Sequence, residues 1–210
     1  MNKKTFTSTL WLVSAVATFS LSPQTQAETP VEIKLVATME EGRGWCLDLR
    51  GGQNNAQPIG GVQGHTCYAY QGNGPSRDQG YVQEEILEQN RFRMASADFA
   101  TLCMTIYEPK AGSFVSIETC DGRITQEIQL SESGQITPTM DTSLCLTLDS
   151  VILPGGGGTP LHVLRGATFE KCDASLADVQ TWELRAEWTG LEEATAPRTY
   201  QNAAPRQRRN

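Results

Sequence analysis

The chain has 210 residues with a formal net charge of −7, and 39% of them are hydrophobic but only 7% aromatic. The hydrophobic share is too high for a disordered chain, and the length suits one or two domains. An acidic balance argues against a nucleic-acid binder and against electrostatic attachment to anionic lipid. Nineteen glycines and ten prolines point to many turns rather than long helices.

At the N-terminus, Lys3 and Lys4 precede an apolar run from Leu10 to Leu21, then Ser22-Pro23 and a polar stretch ending at Ala27. A charged start, a short apolar run and small residues before Ala27 predict a signal peptide over residues 1–27. The run is too short for a membrane span of about 20 residues. Cleavage removes two lysines, takes the charge from −7 to −9, and leaves an exported protein, secreted or periplasmic, with no transmembrane segment.

Three similar phrases follow. The first runs from Cys46-Leu47-Asp48-Leu49, through the turn cluster Gly51 to Asn55, to Val62-Gln63-Gly64-His65-Thr66-Cys67. A second turn cluster, Gly72 to Pro75, leads to Asp78-Gln79-Gly80-Tyr81. Glu84 to Glu88 is the best helical candidate and is too short to be more than a turn. The second copy has Cys103-Met104-Thr105-Ile106, then Val115 to Cys120, then Gln126-Glu127-Ile128. The third has Cys145-Leu146-Thr147-Leu148, a glycine run from Pro154 to Gly158, Thr168 to Cys172, and Gln180-Thr181-Trp182. Each phrase after a first cysteine alternates with period two, as a half-buried strand does. The second cysteines are 53 and 52 residues apart, a period that marks a repeat architecture. Beyond Arg185 the sequence loses apolar periodicity; residues 186–210, with Arg198, Arg206, Arg208 and Arg209, read as a disordered tail, with Trp188 packing on the domain edge.

Six cysteines in an exported chain suggest disulfides, although six allow fifteen connectivities. With no C-x-x-C pair and two histidines in the whole chain, the sequence gives no zinc site and no other cofactor site.

The order Cys-Leu-Asp-Leu, Gln-x-x-x-Cys and Gln-x-aromatic, repeated three times between Val31 and Arg185, resembles the ricin B-type β-trefoil lectin domain. The resemblance implies an all-β trefoil over residues 28–185, built of three pseudo-symmetric repeats. It also implies one disulfide per repeat, Cys46–Cys67, Cys103–Cys120 and Cys145–Cys172. Tyr81, Ile128 and Trp182 would fill a core on the pseudo-threefold axis; only the third copy keeps an intact Gln-x-Trp.

Lectins of this family hold a sugar through a carboxylate just after the first cysteine, a ring two positions before the second, and a polar amide before the repeat's glutamine. A charged acceptor bonds hydroxyls strongly and a ring covers the apolar face of the sugar. Only the first repeat approaches this set: Asp48, Gln63, His65, Asp78 and Gln79, with Tyr68 or Tyr70 able to lean over a weak imidazole platform. Asp78 stands where the family has asparagine, and two like charges together would raise one pKa or invite a cation. The other repeats look blind, with Thr105 and Thr147 at the carboxylate place and Glu118 and Glu170 at the ring place. His162 is read as a loop residue.

The leading reading is a carbohydrate-binding, lectin-like module that takes a glycan or glycoprotein at one site. The alternative is a trefoil without sugar binding, used as an interaction or toxin-accessory subunit; the cell-binding subunits of cytolethal distending toxins are similar in style. With no G-x-S-x-G and no H-E-x-x-H, the sequence does not read as an enzyme. On this reading the exported protein begins at Glu28. Intact mass of secreted or periplasmic material checks it, and a chain there still starting at Met1 would overturn it.

Overall fold

The computed structural model describes residues 27–51, 56–69 and 74–187. The predicted signal peptide, apart from its last residue, and the tail from residue 188, Trp188 included, lie outside the described residues.

The first repeat holds β1 (Pro30–Leu35), β2 (Trp45–Leu49), β3 (Val62–Thr66) and β4 (Gly80–Val82). The second holds α1 (Gln83–Gln89), β5 (Leu102–Thr105), β6 (Ser113–Phe114), β7 (Ser116–Thr119) and β8 (Ile128–Leu130). The third holds β9 (Ile136–Pro138), β10 (Leu144–Leu148), β11 (Leu153–Pro154), β12 (Val163–Lys171), α2 (Ala177–Gln180) and β13 (Trp182–Arg185).

Each repeat centres on an antiparallel hairpin in the same register. Cys46 stands opposite His65, Cys103 opposite Glu118 and Cys145 opposite Glu170. One step inward, Asp48 faces Gln63, Thr105 faces Ser116 and Thr147 faces Thr168. That shared register places the two cysteines of a repeat 4.9–5.1 Å apart at Cα, within disulfide reach, and all three implied bridges are formed.

The flanking strands close a barrel. β1 pairs with β13 (Leu35 opposite Trp182), joining the first stave to the last, and with β4 (Val31 opposite Tyr81). Tyr81 then bridges to Met94, the Ile128 amide donates to the Asn90 carbonyl, β8 pairs with β9, and the Trp182 amide returns to Gly134. The architecture is all-β, as the repeats implied.

Two details differ from the sequence reading. The stretch from Glu84 to Glu88 is part of a seven-residue helix, α1, not a turn. Glu84 and Glu85 sit at its positive N-terminal end, Ile86 anchors it in the core, and Asn90 ends it in the left-handed conformation at φ 52°. The second difference is burial. Alternation predicts half-buried strands, yet β2 and β10 are buried on both faces, because the residues between the leucines are covered by disulfides and buried amides.

Tyr81, Ile128 and Trp182 are all buried in the one apolar cluster, and the Trp182 indole nitrogen donates to the Leu146 carbonyl at 2.9 Å. Truncating Trp182 to Ala should therefore cost about 3–5 kcal/mol in chemical denaturation. A loss below about 1 kcal/mol would place the ring outside the structural core.

Candidate functional site

The site is built on a hydrogen-bond clamp that recurs in every repeat. In the first, the Gln79 side-chain oxygen accepts from the Tyr68 amide (3.0 Å), and its nitrogen donates to the Thr66 carbonyl (3.0 Å) and to Asp48 Oδ2 (3.1 Å). Gln126 accepts from the Asp121 amide and donates to the Thr119 carbonyl and Thr105 Oγ1. Gln180 accepts from the Asp173 amide and donates to the Lys171 carbonyl and Thr147 Oγ1. Asp48 thus occupies the seat that two threonines fill elsewhere.

What sets the first repeat apart is a second layer. Gln63, directly across the ladder, donates to Asp48 Oδ1 at 2.9 Å. Asp48 is fully buried, so both its oxygens are engaged by glutamine amides away from water. Asp78 is also buried; Ser76 Oγ donates to one of its oxygens and the other has no partner. Its backbone carbonyl accepts from the Leu49 amide (2.9 Å), fixing it against the strand that carries Asp48. Burial raises both carboxyl pKa values, Asp48 well above the usual range, and the charge on Asp78 adds to that rise. The buried Tyr81 phenol is pushed up by burial and by both acids.

Two residues along β3 from Gln63 is His65, on the same face. Its Nδ1 donates to the Thr66 carbonyl at 3.0 Å, which leaves Nε2 as an acceptor. Tyr68 stacks on the ring at 5.2 Å between centroids, and His162 from the third repeat meets both rings edge-on, at 5.5 Å and 4.9 Å. Burial lowers both histidine pKa values to about 4, so the rings are neutral at neutral pH.

His162 arrives there because a buried ion pair holds its loop. Arg43 grips Glu41 with two bonds of 2.8 and 2.9 Å and donates to the carbonyls of Pro160 (2.9 Å) and Leu161 (3.1 Å). Thr66 Oγ1 adds a bond from the Val163 amide at 3.0 Å. The third repeat's long hairpin loop is thereby drawn over the first repeat.

Between them lies a cavity of about 820 Å³. Gln63, His65 and Tyr68 form its first-repeat wall; Gly155, Gly156 and Arg165 are on the third-repeat wall. The sequence-predicted residues therefore divide. Gln63 and His65 reach the cavity, whereas Asp48, Asp78 and Gln79 lie behind Gln63 and line none of it. Tyr70 falls outside the described residues. Sequence reading missed Glu41, Arg43 and the wall from the third repeat, and placed His162 on a loop without a role. No local sequence signal marks it, since the chain's two histidines, His65 and His162, meet only where Arg43 holds the third-repeat loop. In the other repeats Thr105 and Thr147 are buried and spend their hydroxyls on Cys103 and Cys145 carbonyls as well as on the clamp. The metal-type grouping found among the described residues, Glu32 with Cys46 and Cys67, has both sulfurs in a disulfide.

No protein-family model and no curated protein matches the chain. Solved structures do. The β-trefoil lectin of the Vibrio vulnificus hemolysin/cytolysin, determined with N-acetyl-D-lactosamine bound, is 18% identical with a TM-score of 0.50, over 79% of this chain and 100% of that one. The mdaA-1 domain is 16% identical with the same TM-score, over 81% of this chain and 98% of its own. The chain folds as a β-trefoil. Among the described residues of this trefoil no helix is long and apolar enough to cross a membrane.

The buried acids give the trefoil a pH signature. A carboxyl with a raised folded pKa keeps its proton after the unfolded chain has lost it, so stability falls as pH rises above about 4. The histidines act the other way: the unfolded chain takes up protons below about 6.5 while the folded one resists to about 4, so stability falls as pH drops through that window. Asp78→Asn removes one buried charge and keeps an oxygen for Ser76. Its melting temperature should exceed the parent's at pH 7.5, with the gap closing toward pH 4. Scanning calorimetry across that range checks this, and a parent that melts higher at pH 7.5 would refute it.

Proposed function

We propose that the chain is an exported carbohydrate-binding module whose sugar site is the first-repeat cavity. In this reading residues 1–27 are a signal peptide, 28–185 the trefoil and 186–210 a tail. The observation that carries it is the convergence of a glutamine amide, Gln63, with the His65 and Tyr68 rings on one concave wall backed by a carboxylate. Amide and imidazole edges hydrogen-bond sugar hydroxyls, and the rings cover apolar C–H faces. Asp48 acts from behind: it orients the Gln63 amide, and a ligand hydroxyl reaches the carboxylate by displacing that amide. Asp78 and Gln79 hold this arrangement in place. Neither Asp48 nor Asp78 lines the cavity, so the pair is not set around a bond to be cleaved, and no catalysis is proposed.

Affinity for one sugar should be weak, with a binding free energy of about −4 to −6 kcal/mol. Galactose-type sugars titrated into the folded protein should shift the resonances of Gln63, His65 and Tyr68. Gln63→Ala should weaken binding about ten-fold, the value of one hydrogen bond with its orientation. Thr105→Ala, in the matching seat of the second repeat, should leave it unchanged. If no sugar on a broad glycan array binds, or if Gln63→Ala binds as the parent does, the reading fails.

A second reading draws on the same burial. His65 is only 4% exposed, beneath Tyr68 and against His162, and both Asp48 oxygens are already bonded. A trefoil with so closed a site acts through its surface on another protein subunit or a glycoprotein. Stable co-purification of a second chain, together with a blank glycan array, would favour it.

A further inference from the structure

We infer that the sugar site spans the seam between the first and third repeats and takes an oligosaccharide, with the bare backbone of Gly156 and Gly157 holding the second ring. This rests on the sugar-binding reading above and names the ligand size and a second set of contacts.

The seam is a continuous ladder. β3 and β12 pair antiparallel, with His65 opposite Leu164 and Gln63 opposite Gly166, so side chains from two repeats share one wall. Beyond that ladder the glycine segment is fixed rather than loose. The Gly155 amide donates to the His162 carbonyl (2.7 Å), the His162 amide donates to the Gly157 carbonyl (2.9 Å), and Arg43 secures Pro160 and Leu161.

The four glycines fall into two kinds. Gly155 and Gly158 are packing glycines: a Cβ on Gly155 would lie 2.8 Å from the His162 carbonyl oxygen and 3.2 Å from His65 Nε2, and one on Gly158 would collide with the His162 ring. Gly156 and Gly157 are the reverse, exposed and with nothing within 4 Å of a built Cβ, although Gly157 needs glycine for its φ of 103°. Both line the cavity. The Gly156 N–H and C=O make no hydrogen bond among the described residues. An unobstructed peptide edge lining the same cavity as Gln63 suits the hydroxyls of a ring beyond the one held at Gln63. At about 820 Å³ the cavity lies within the range of about 300–1,000 Å³ that drug-sized ligands fill, more than one pyranose requires.

The test uses galactose and a galactose-terminated trisaccharide as probes on the parent and on Gly156→Trp. The open space around Gly156, and its φ outside the left-handed region, let the indole be added without strain; an unchanged melting temperature confirms the fold. The trisaccharide should bind the parent about ten-fold more tightly than galactose, the worth of roughly two neutral hydrogen bonds. Gly156→Trp should erase that advantage, so that the variant binds the trisaccharide no more tightly than it binds galactose. In the parent, the Gly156 and Gly157 amide resonances should move with the trisaccharide and stay still with galactose. Equal affinities for the two probes, or an advantage that survives Gly156→Trp, would overturn the extended site and leave the Gln63 site standing. Binding of neither probe would overturn both.

Discussion

A buried carboxamide with every valence used is the constraint on which this trefoil depends. In each repeat the glutamine ties the hairpin to the stave behind it: one bond from the amide after the second cysteine, one to the carbonyl before it, and one to the side chain two places past the first cysteine. An orphaned buried polar group costs about 1–3 kcal/mol, so the residue at that third place must accept. Threonine does so cheaply, since its hydroxyl carries no charge to desolvate. Aspartate does so at the cost of a buried carboxyl, which is why its pKa rises. The first repeat carries the costlier solution and, with it, the additional donor Gln63. Divergence from threefold symmetry is concentrated where the cavity lies.

The second departure from symmetry is the Glu41–Arg43 pair. Both side chains are fully buried, and an ion pair removed from water gains only if its remaining donors are satisfied. Arg43 satisfies them with two carbonyls from the third repeat. The requirement to complete a guanidinium's bonds therefore fixes a loop more than a hundred residues away in sequence, and brings His162 against His65 and Tyr68. Arg165, in β12, extends the same seam: it lies 4.9 Å over the Trp45 ring and pairs with Glu40.

The repeats were legible because each is a local phrase copied three times, and copying makes register visible; the disulfide partners and the axial residues followed only from the family resemblance that those phrases carry. Asp48, Gln63 and Gln79 were legible as neighbours for the same reason. Their depth was not. Alternation in Cys46 to Leu49 says which residues share a face, not that a second amide will cover the polar face. The composite wall was beyond the phrases altogether, since it depends on Arg43 meeting Pro160 and Leu161 across the seam. Helix α1 was misjudged by length alone; its stability comes from Ile86 in the core and the Asn90 cap.

If the first-repeat cavity holds a sugar as proposed, the competition at Asp48 says where its binding energy must come from. A ligand hydroxyl that took over Asp48 Oδ1 would replace the Gln63 amide, trading one charge-assisted bond for another and freeing an amide that must find a new acceptor. The net gain is small, because the released amide has to be satisfied by the ligand or by water. Burial also pushes the Asp48 carboxyl well above its usual pKa, so the charged form that would assist such a bond is disfavoured. On the proposed reading, discrimination then falls to the Gln63 amide, the His65 Nε2 acceptor and the apolar surface that Tyr68 shares with the third-repeat wall. On the same reading, a first repeat organised this way would recognise shape across the seam more than charge at its floor, with the buried acid holding Gln63 through its hydrogen bond.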